Sequence, residues 1–173
     1  ASDVYKRQIL SYISEYDDLS QLLNRRGFME RASHAIESNS GKKAYLLFGD
    51  LDHLKEINDC FSHLAGDFAL RTVSERLRKC LPKDAITARL GGDEFVSFIL
   101  TDIPDFKEQL LKNLKAESDA FNAVCDKPFY VEISVGIYDF YCNPQMDLTD
   151  ILKHSDAILY EEKAKRRSSI KKV

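Results

Sequence analysis

The sequence has no apolar run near the ~20 residues needed to cross a bilayer, so it predicts no membrane-spanning helix. It also lacks a strong charge of either sign: 25 Lys and Arg face 28 Asp and Glu, a formal net charge of −3. That excludes a whole-molecule pull toward nucleic acid or an anionic membrane, so any polyanionic ligand must be held by a local site. Cysteine is sparse and scattered. Cys60, Cys80, Cys125 and Cys142 form no C-x-x-C pair and have no histidine at zinc spacing, which argues against a structural zinc site. Reduced, partly buried thiols are expected. No signal-peptide pattern is visible, and the expected location is the cytoplasm, with any membrane anchor in upstream segments of a longer parent. No internal repeat or low-complexity linker interrupts the 173 residues, which read as one domain with interior enough for a full core.

The start of the chain has two readings. Asp3-Val4-Tyr5-Lys6-Arg7-Gln8 matches an in-frame translation of a transposon-end sequencing adapter, to be left out of fold reasoning. Alternatively it is a native helix with Val4, Ile9, Tyr12 and Ile13 as an apolar stripe, continuing from an upstream signalling segment. Residues 1–16 are thus set apart from a folded domain at 17–170.

Within that domain the pattern alternates between helix and strand. Leu22–Glu37 predicts a helix with Phe28, Ala32, Ala35 and Ile36 on one face, stopped by Ser38-Asn39-Ser40-Gly41. Tyr45-Leu46-Leu47-Phe48 is a continuous apolar run, the mark of a central strand covered on both faces. Lys55–Phe61 reads as a short helix. Asp67 opens another, with Leu70, Val73, Leu77 and Leu81 at helical spacing and Pro82 at its end. Strands follow at Ala85–Leu90 and Phe95–Leu100. Phe106, Leu110, Leu114, Phe121 and Val124 mark a long helix. Phe129 to Ile137 alternates apolar and polar residues and predicts a half-buried strand. A last helix runs from Leu148 to a basic end at Lys163–Arg167. Without the extra helices the order is β-α-β-β-α-β, which predicts an α+β fold. Its centre is a ferredoxin-like or palm-type antiparallel sheet flanked by helices.

That topology sets the candidate site. Gly91-Gly92 reads as a hairpin turn needing positive φ, and Asp93-Glu94 follows at once. The strand ending at Asp50 should lie antiparallel to the one beginning after Asp93. Asp50, Asp52, Asp93 and Glu94 would then crowd one sheet edge, and a hard cation, Mg²⁺ or Mn²⁺, would relieve their repulsion. Such a site is a common host for nucleotide phosphates. Lys55, Lys163 and Arg167 could meet those phosphates, as could the backbone N–H groups of His53 and Leu54. For Lys163 and Arg167 the alternative is a solvated helix end. Asn58 and Asp67 could read the adjacent donors of a guanine edge, or could simply cap helices. His63 has a structural alternative, and Arg89 could steady phosphate or pair with a carboxylate.

These residues together resemble the GGDEF domain family, the bacterial diguanylate cyclases. Gly91-Gly92-Asp93-Glu94-Phe95 reproduces the signature, and Leu19–Phe28 with Asn24-Arg25-Arg26 is similar to the family's opening motif. Asp50 to Asp59 resembles D-x-D-x-F-K-x-I-N-D. His63–Asp67 matches H-x-x-G-D, Ser134-Val135-Gly136 matches S-x-G, and Asp156–Lys163 is similar to the closing A-D-x-A-L-Y-x-A-K. The resemblance implies a fold related to nucleotidyl cyclases and the condensation of two GTP into cyclic di-GMP with release of two pyrophosphates. It implies Asp50, the Leu51 carbonyl and Asp93 as metal ligands. Asn58 and Asp67 would hold guanine, with His63 in the same motif. Lys55, Lys163 and Arg167 would bind phosphate, and Asp93 or Glu94 would activate the 3′-hydroxyl, Asp93 being favoured. It also implies a homodimer, at least transient, since each domain would hold one GTP, and an upstream sensor controlling the encounter. No nucleic acid and no direct membrane insertion are expected of this domain.

The chain departs from the family at several places. Leu81-Pro82-Lys83-Asp84 stands where many members carry the inhibitory R-x-x-D. Leu54 replaces a phenylalanine, and Gln21, Ser62 and Arg166 each replace a glycine. A catalytically weak or inactive module that binds GTP or partners is the alternative these departures raise.

Overall fold

The structure is a computed structural model that describes residues 3–6, 10 and 15–170, with side chains as far as Arg166. Of the expected N-terminal stripe, Val4 is exposed, while Ile9, Tyr12 and Ile13 lie outside the described residues. The elements in chain order are α1 (Arg25–Ser38), β1 (Lys43–Leu51), α2 (Leu54–Phe61), α3 (His63–Cys80), β2 (Ile86–Gly91), β3 (Glu94–Leu100), α4 (Phe106–Val124), β4 (Ile133–Tyr141) and α5 (Leu148–Ile170). The strands form one antiparallel sheet in the order β2-β3-β1-β4. This is the expected palm-type α+β architecture. Among the described residues no helix is long and apolar enough to cross a membrane.

The continuous apolar run of β1 has a direct cause. Tyr45, Leu47 and Leu51 enter one core with Leu70, Val73 and Leu77 of α3 and Leu110 and Leu114 of α4. Their neighbours Ala44, Leu46 and Phe48 enter a second core with Phe28, Ala32 and Ile36 of α1 and Ile151, Leu152 and Leu159 of α5. A strand sandwiched in this way has no solvent face to mark with polar residues. Each fully buried large side chain contributes roughly 1.5–3 kcal/mol, so both layers press on the sheet that carries the site.

Two boundaries differ from the sequence expectation. Helix α3 begins at His63, not Asp67: Ser62 is its N-cap and accepts a hydrogen bond from the Ala65 N–H. Strand β4 begins at Ile133, not Phe129. The preceding backbone is captured by side chains instead of a ladder. Val131 donates its N–H to Asn122 Oδ1 (3.0 Å), and its carbonyl accepts from Arg76 Nη1 (2.7 Å) and Asn122 Nδ2 (3.2 Å). Val131 is fully buried, so the apolar alternation persisted where the strand did not.

Ser62 is strained. Its φ of 129° and ψ of 164° fall in a region that is essentially glycine's alone, at a cost of about 1–3 kcal/mol. Its capping bond is long at 3.4 Å, and a glycine cap costs only a few tenths of a kcal/mol relative to serine. Glycine's larger unfolded-state entropy offsets about 0.4–1 kcal/mol. Ser62→Gly is therefore expected to stabilise the fold by about 1 kcal/mol, raising Tm by about 2–4 °C in thermal denaturation. An unchanged or lower Tm would refute the strain argument.

Candidate active site

The site forms where β1 ends beside the start of β3. Asp50 stands opposite Glu94 in the β1–β3 register, and the Leu51 N–H donates to the Asp93 carbonyl at 2.9 Å. Asp50 on β1 and Asp93 in the turn just before β3 thus sit at one sheet edge, and both line an open cleft of about 550 Å³. The turn between β2 and β3 is made possible by Gly91 (φ 142°) and Gly92 (φ 52°), both in conformations that side chains resist.

Lys163 reaches across from α5. Its Nζ lies 2.8 Å from Asp50 Oδ1 and 3.6 Å from Asp52 Oδ1. Asp52 is held by Ser134 of β4, whose Oγ is 2.8 Å from both carboxylate oxygens. Arg166 Nη1 donates to that same Ser134 Oγ at 3.3 Å. The other wall is the turn into α2, where His53 adopts φ 61° and pairs with Glu56, and where Leu54 and Lys55 line the cleft.

The four expected carboxylates share this edge without forming one cluster. Asp52 is turned to Ser134. Glu94 pairs with Arg25 at 3.7 Å. Burial pushes the Glu94 carboxyl above its usual range; Arg25 opposes this, and Asp93, Asp156 and Asp50 add to it. Among the described residues no three His, Cys, Asp or Glu side chains are grouped as a metal cage. Carboxylate oxygens that could meet a hard cation line the cleft at Asp50, Asp52 and Asp93, with Lys163 against the first two.

Asn58, His63 and Asp67 do not line this cleft; they form the neighbouring corner between α2 and α3. Asn58 lies inside α2 and Asp67 well inside α3, so neither caps a helix in the way their residue types allowed. Gly66 makes room for Asn58, since a Cβ there would stand 2.0 Å from Asn58 Oδ1. His63 is exposed in the first turn of α3. Arg89 does not enter the cleft. It clamps the hairpin, with Nη1 3.2 Å from both Asp17 oxygens and Nε and Nη2 donating to the Gly92 carbonyl. The Arg167 side chain lies outside the described residues.

Ser134 stands in the S-x-G match, but the sequence assigned it no contact; in the structure it is the residue that holds Asp52. It stands opposite Asp50 in the β1–β4 register, and that register was the available signal. Two places further on, Gly136 admits α5 to the sheet: a Cβ there would lie 2.3 Å from the Leu159 backbone nitrogen and 2.4 Å from the Ser155 carbonyl oxygen. The Ser155 hydroxyl completes the seat by donating to the Leu46 carbonyl at 3.1 Å.

The family described as "Diguanylate cyclase, GGDEF domain" matches residues 14–169, and the chain belongs to it. The diguanylate cyclase DgcP of Pseudomonas aeruginosa is 32% identical over 161 residues, 89% of this chain and 23% of that protein. The cyclic di-GMP phosphodiesterase PdeR of Escherichia coli is 30% identical over 156 residues, 89% of this chain and 23% of that protein. A crystal structure of a sensory box/GGDEF family protein from Caulobacter crescentus has a TM-score of 0.71 at 30% identity, covering 87% of this chain and 99% of that one. The chain thus spans less than a quarter of the length of the two curated relatives.

Proposed function

We propose that this chain is a diguanylate cyclase domain that condenses two GTP into cyclic di-GMP with Mg²⁺ or Mn²⁺, at the interface of two copies. The observation that carries this is that Asp50 and Asp93 line one cleft, with Lys163 2.8 Å from Asp50. Asp50, Asp93 and the Leu51 carbonyl would hold the metal. When bound, such a cation stabilises the attacking and leaving oxygens of an in-line phosphoryl transfer.

The protein's own residues supply the rest. Lys55, Lys163 and Arg167 neutralise the β- and γ-phosphates, together with the backbone N–H groups of His53 and Leu54. Asn58 and Asp67 accept from the guanine edge, in the corner that His63 borders. Asp93 takes the proton of the 3′-hydroxyl as its oxygen attacks the α-phosphorus of the GTP on the other copy. The bond from that phosphorus to the pyrophosphate oxygen breaks, and two such steps close the ring. One domain holds one nucleotide, so a homodimer belongs to the mechanism, and a sensor elsewhere in a longer parent would set how often two domains meet.

A second reading is a GGDEF module that binds GTP without efficient turnover. The strained Ser62, beside the proposed guanine corner, favours it. Purified protein incubated with GTP and Mg²⁺ at several protein concentrations separates the two. The first reading expects cyclic di-GMP and a specific rate that rises with protein concentration. Saturable GTP binding with no product at any concentration selects the second.

A further inference from the structure

We infer that Arg166 is an additional phosphate-binding residue of this site, a position where the family pattern has no side chain; the inference deepens the proposed GTP reading and rests on it. The seat of α5 supports this. Gly136 and Ser155 fix the helix against β4 and β1, so its register over the cleft is determined by backbone contact. Lys163 and Arg166 are three residues apart, on the same helix face, and both line the cleft.

Their charges are in different states. Lys163 is compensated by Asp50 and Asp52. Arg166 makes its hydrogen bond to a neutral hydroxyl, Ser134 Oγ, and among the described residues it has no ion pair within 4.0 Å. Glu162, one turn back, is bound to Lys165 at 2.7 Å and meets Arg166 only through a weaker, longer-range attraction. A guanidinium has five N–H donors in a planar fork, and one of them anchored on Ser134 leaves the others to face a ligand. The anchor is itself rigid, because Ser134 is buried in β4 and its Oγ is bound to both oxygens of Asp52. A cationic fork preset in this way at a polar cleft matches the bidentate geometry of phosphate oxygens. The ligand group it suits is the terminal part of a triphosphate, on the side of the cleft where Lys163 lies.

The test is equilibrium binding of GTP, GMP and inorganic tripolyphosphate, each with Mg²⁺, to the wild type and to Arg166→Gly and Arg166→Lys. A lost charge-assisted hydrogen bond corresponds to roughly a tenfold weakening or more. Arg166→Gly should lose about tenfold for both GTP and tripolyphosphate, keep GMP affinity and lower Tm by no more than about 2–4 °C, the cost of a glycine inside α5, and Arg166→Lys should recover part of the binding loss with the wild-type Tm. Equal affinities of wild type and Arg166→Gly for GTP and tripolyphosphate would overturn the assignment, and so would an equal loss for GMP. Failure of the guanine reading looks different: the wild type would bind GTP no better than tripolyphosphate, while the Arg166→Gly loss on tripolyphosphate would persist.

Discussion

Gly136→Ala should destabilise the domain by about 3 kcal/mol and lower any GTP turnover by about a hundredfold. The added methyl would meet backbone, not a side chain that can swing away: the Leu159 nitrogen at 2.3 Å, the Ser155 carbonyl oxygen at 2.4 Å and the Leu159 Cα at 2.9 Å. Overpacking of this kind typically costs 1–3 kcal/mol, and rigid backbone on both sides places this case at the upper end. In a chain of 173 residues that corresponds to a fall in Tm of about 6–12 °C. The only relief is for α5 to lift from β4. That motion carries Lys163, one turn past Leu159, away from Asp50, and misplacement by about 1 Å can cost about a hundredfold in rate. Thermal denaturation and a turnover assay read the two effects separately. A variant with unchanged Tm would show that α5 is not seated as tightly as its contacts with Gly136 indicate.

This seat also shows what the sequence could and could not display. The strand at β1 was legible because its side chains serve two cores and leave an unbroken apolar run. The hairpin was legible because a double glycine between apolar stretches has few other uses. Their antiparallel pairing then followed from topology, and it brings Asp50 beside Asp93. What escaped was decided by single bonds across long sequence separations. Ser134 holding Asp52 has no periodic signature. Arg76 and Asn122 capture the Val131 backbone and delay β4, although the alternation of apolar residues gives no sign of it. The start of α3 moved to His63 because Ser62 takes a backbone conformation that its residue type argues against. Arg89 had two open readings, and its ion pair with Asp17, together with its bonds to the Gly92 carbonyl, settles it as a carboxylate partner at the hairpin.

The two acids of the signature should separate under mutation. Asp93→Ala is expected to lower cyclic di-GMP formation by about a thousandfold or more, and Glu94→Ala by about tenfold. Asp93 lines the cleft with Asp50, where removing one of two carboxylates costs a metal-centred transfer several kcal/mol, and each 1.36 kcal/mol is tenfold in rate. Glu94 instead reaches Arg25 at 3.7 Å, with both side chains well exposed, and such a pair is worth about 0–1 kcal/mol. Its remaining influence is electrostatic, directly opposite Asp50 across the β1–β3 pair, so a modest loss is expected and not abolition. Both variants should keep the wild-type Tm within a few degrees, because neither side chain fills a core. Turnover measured at matched protein concentration, with Tm as the folding control, decides the assignment. Equal losses would place Glu94 in the chemistry beside Asp93, and a larger loss at Glu94 would reverse the roles given to the two residues.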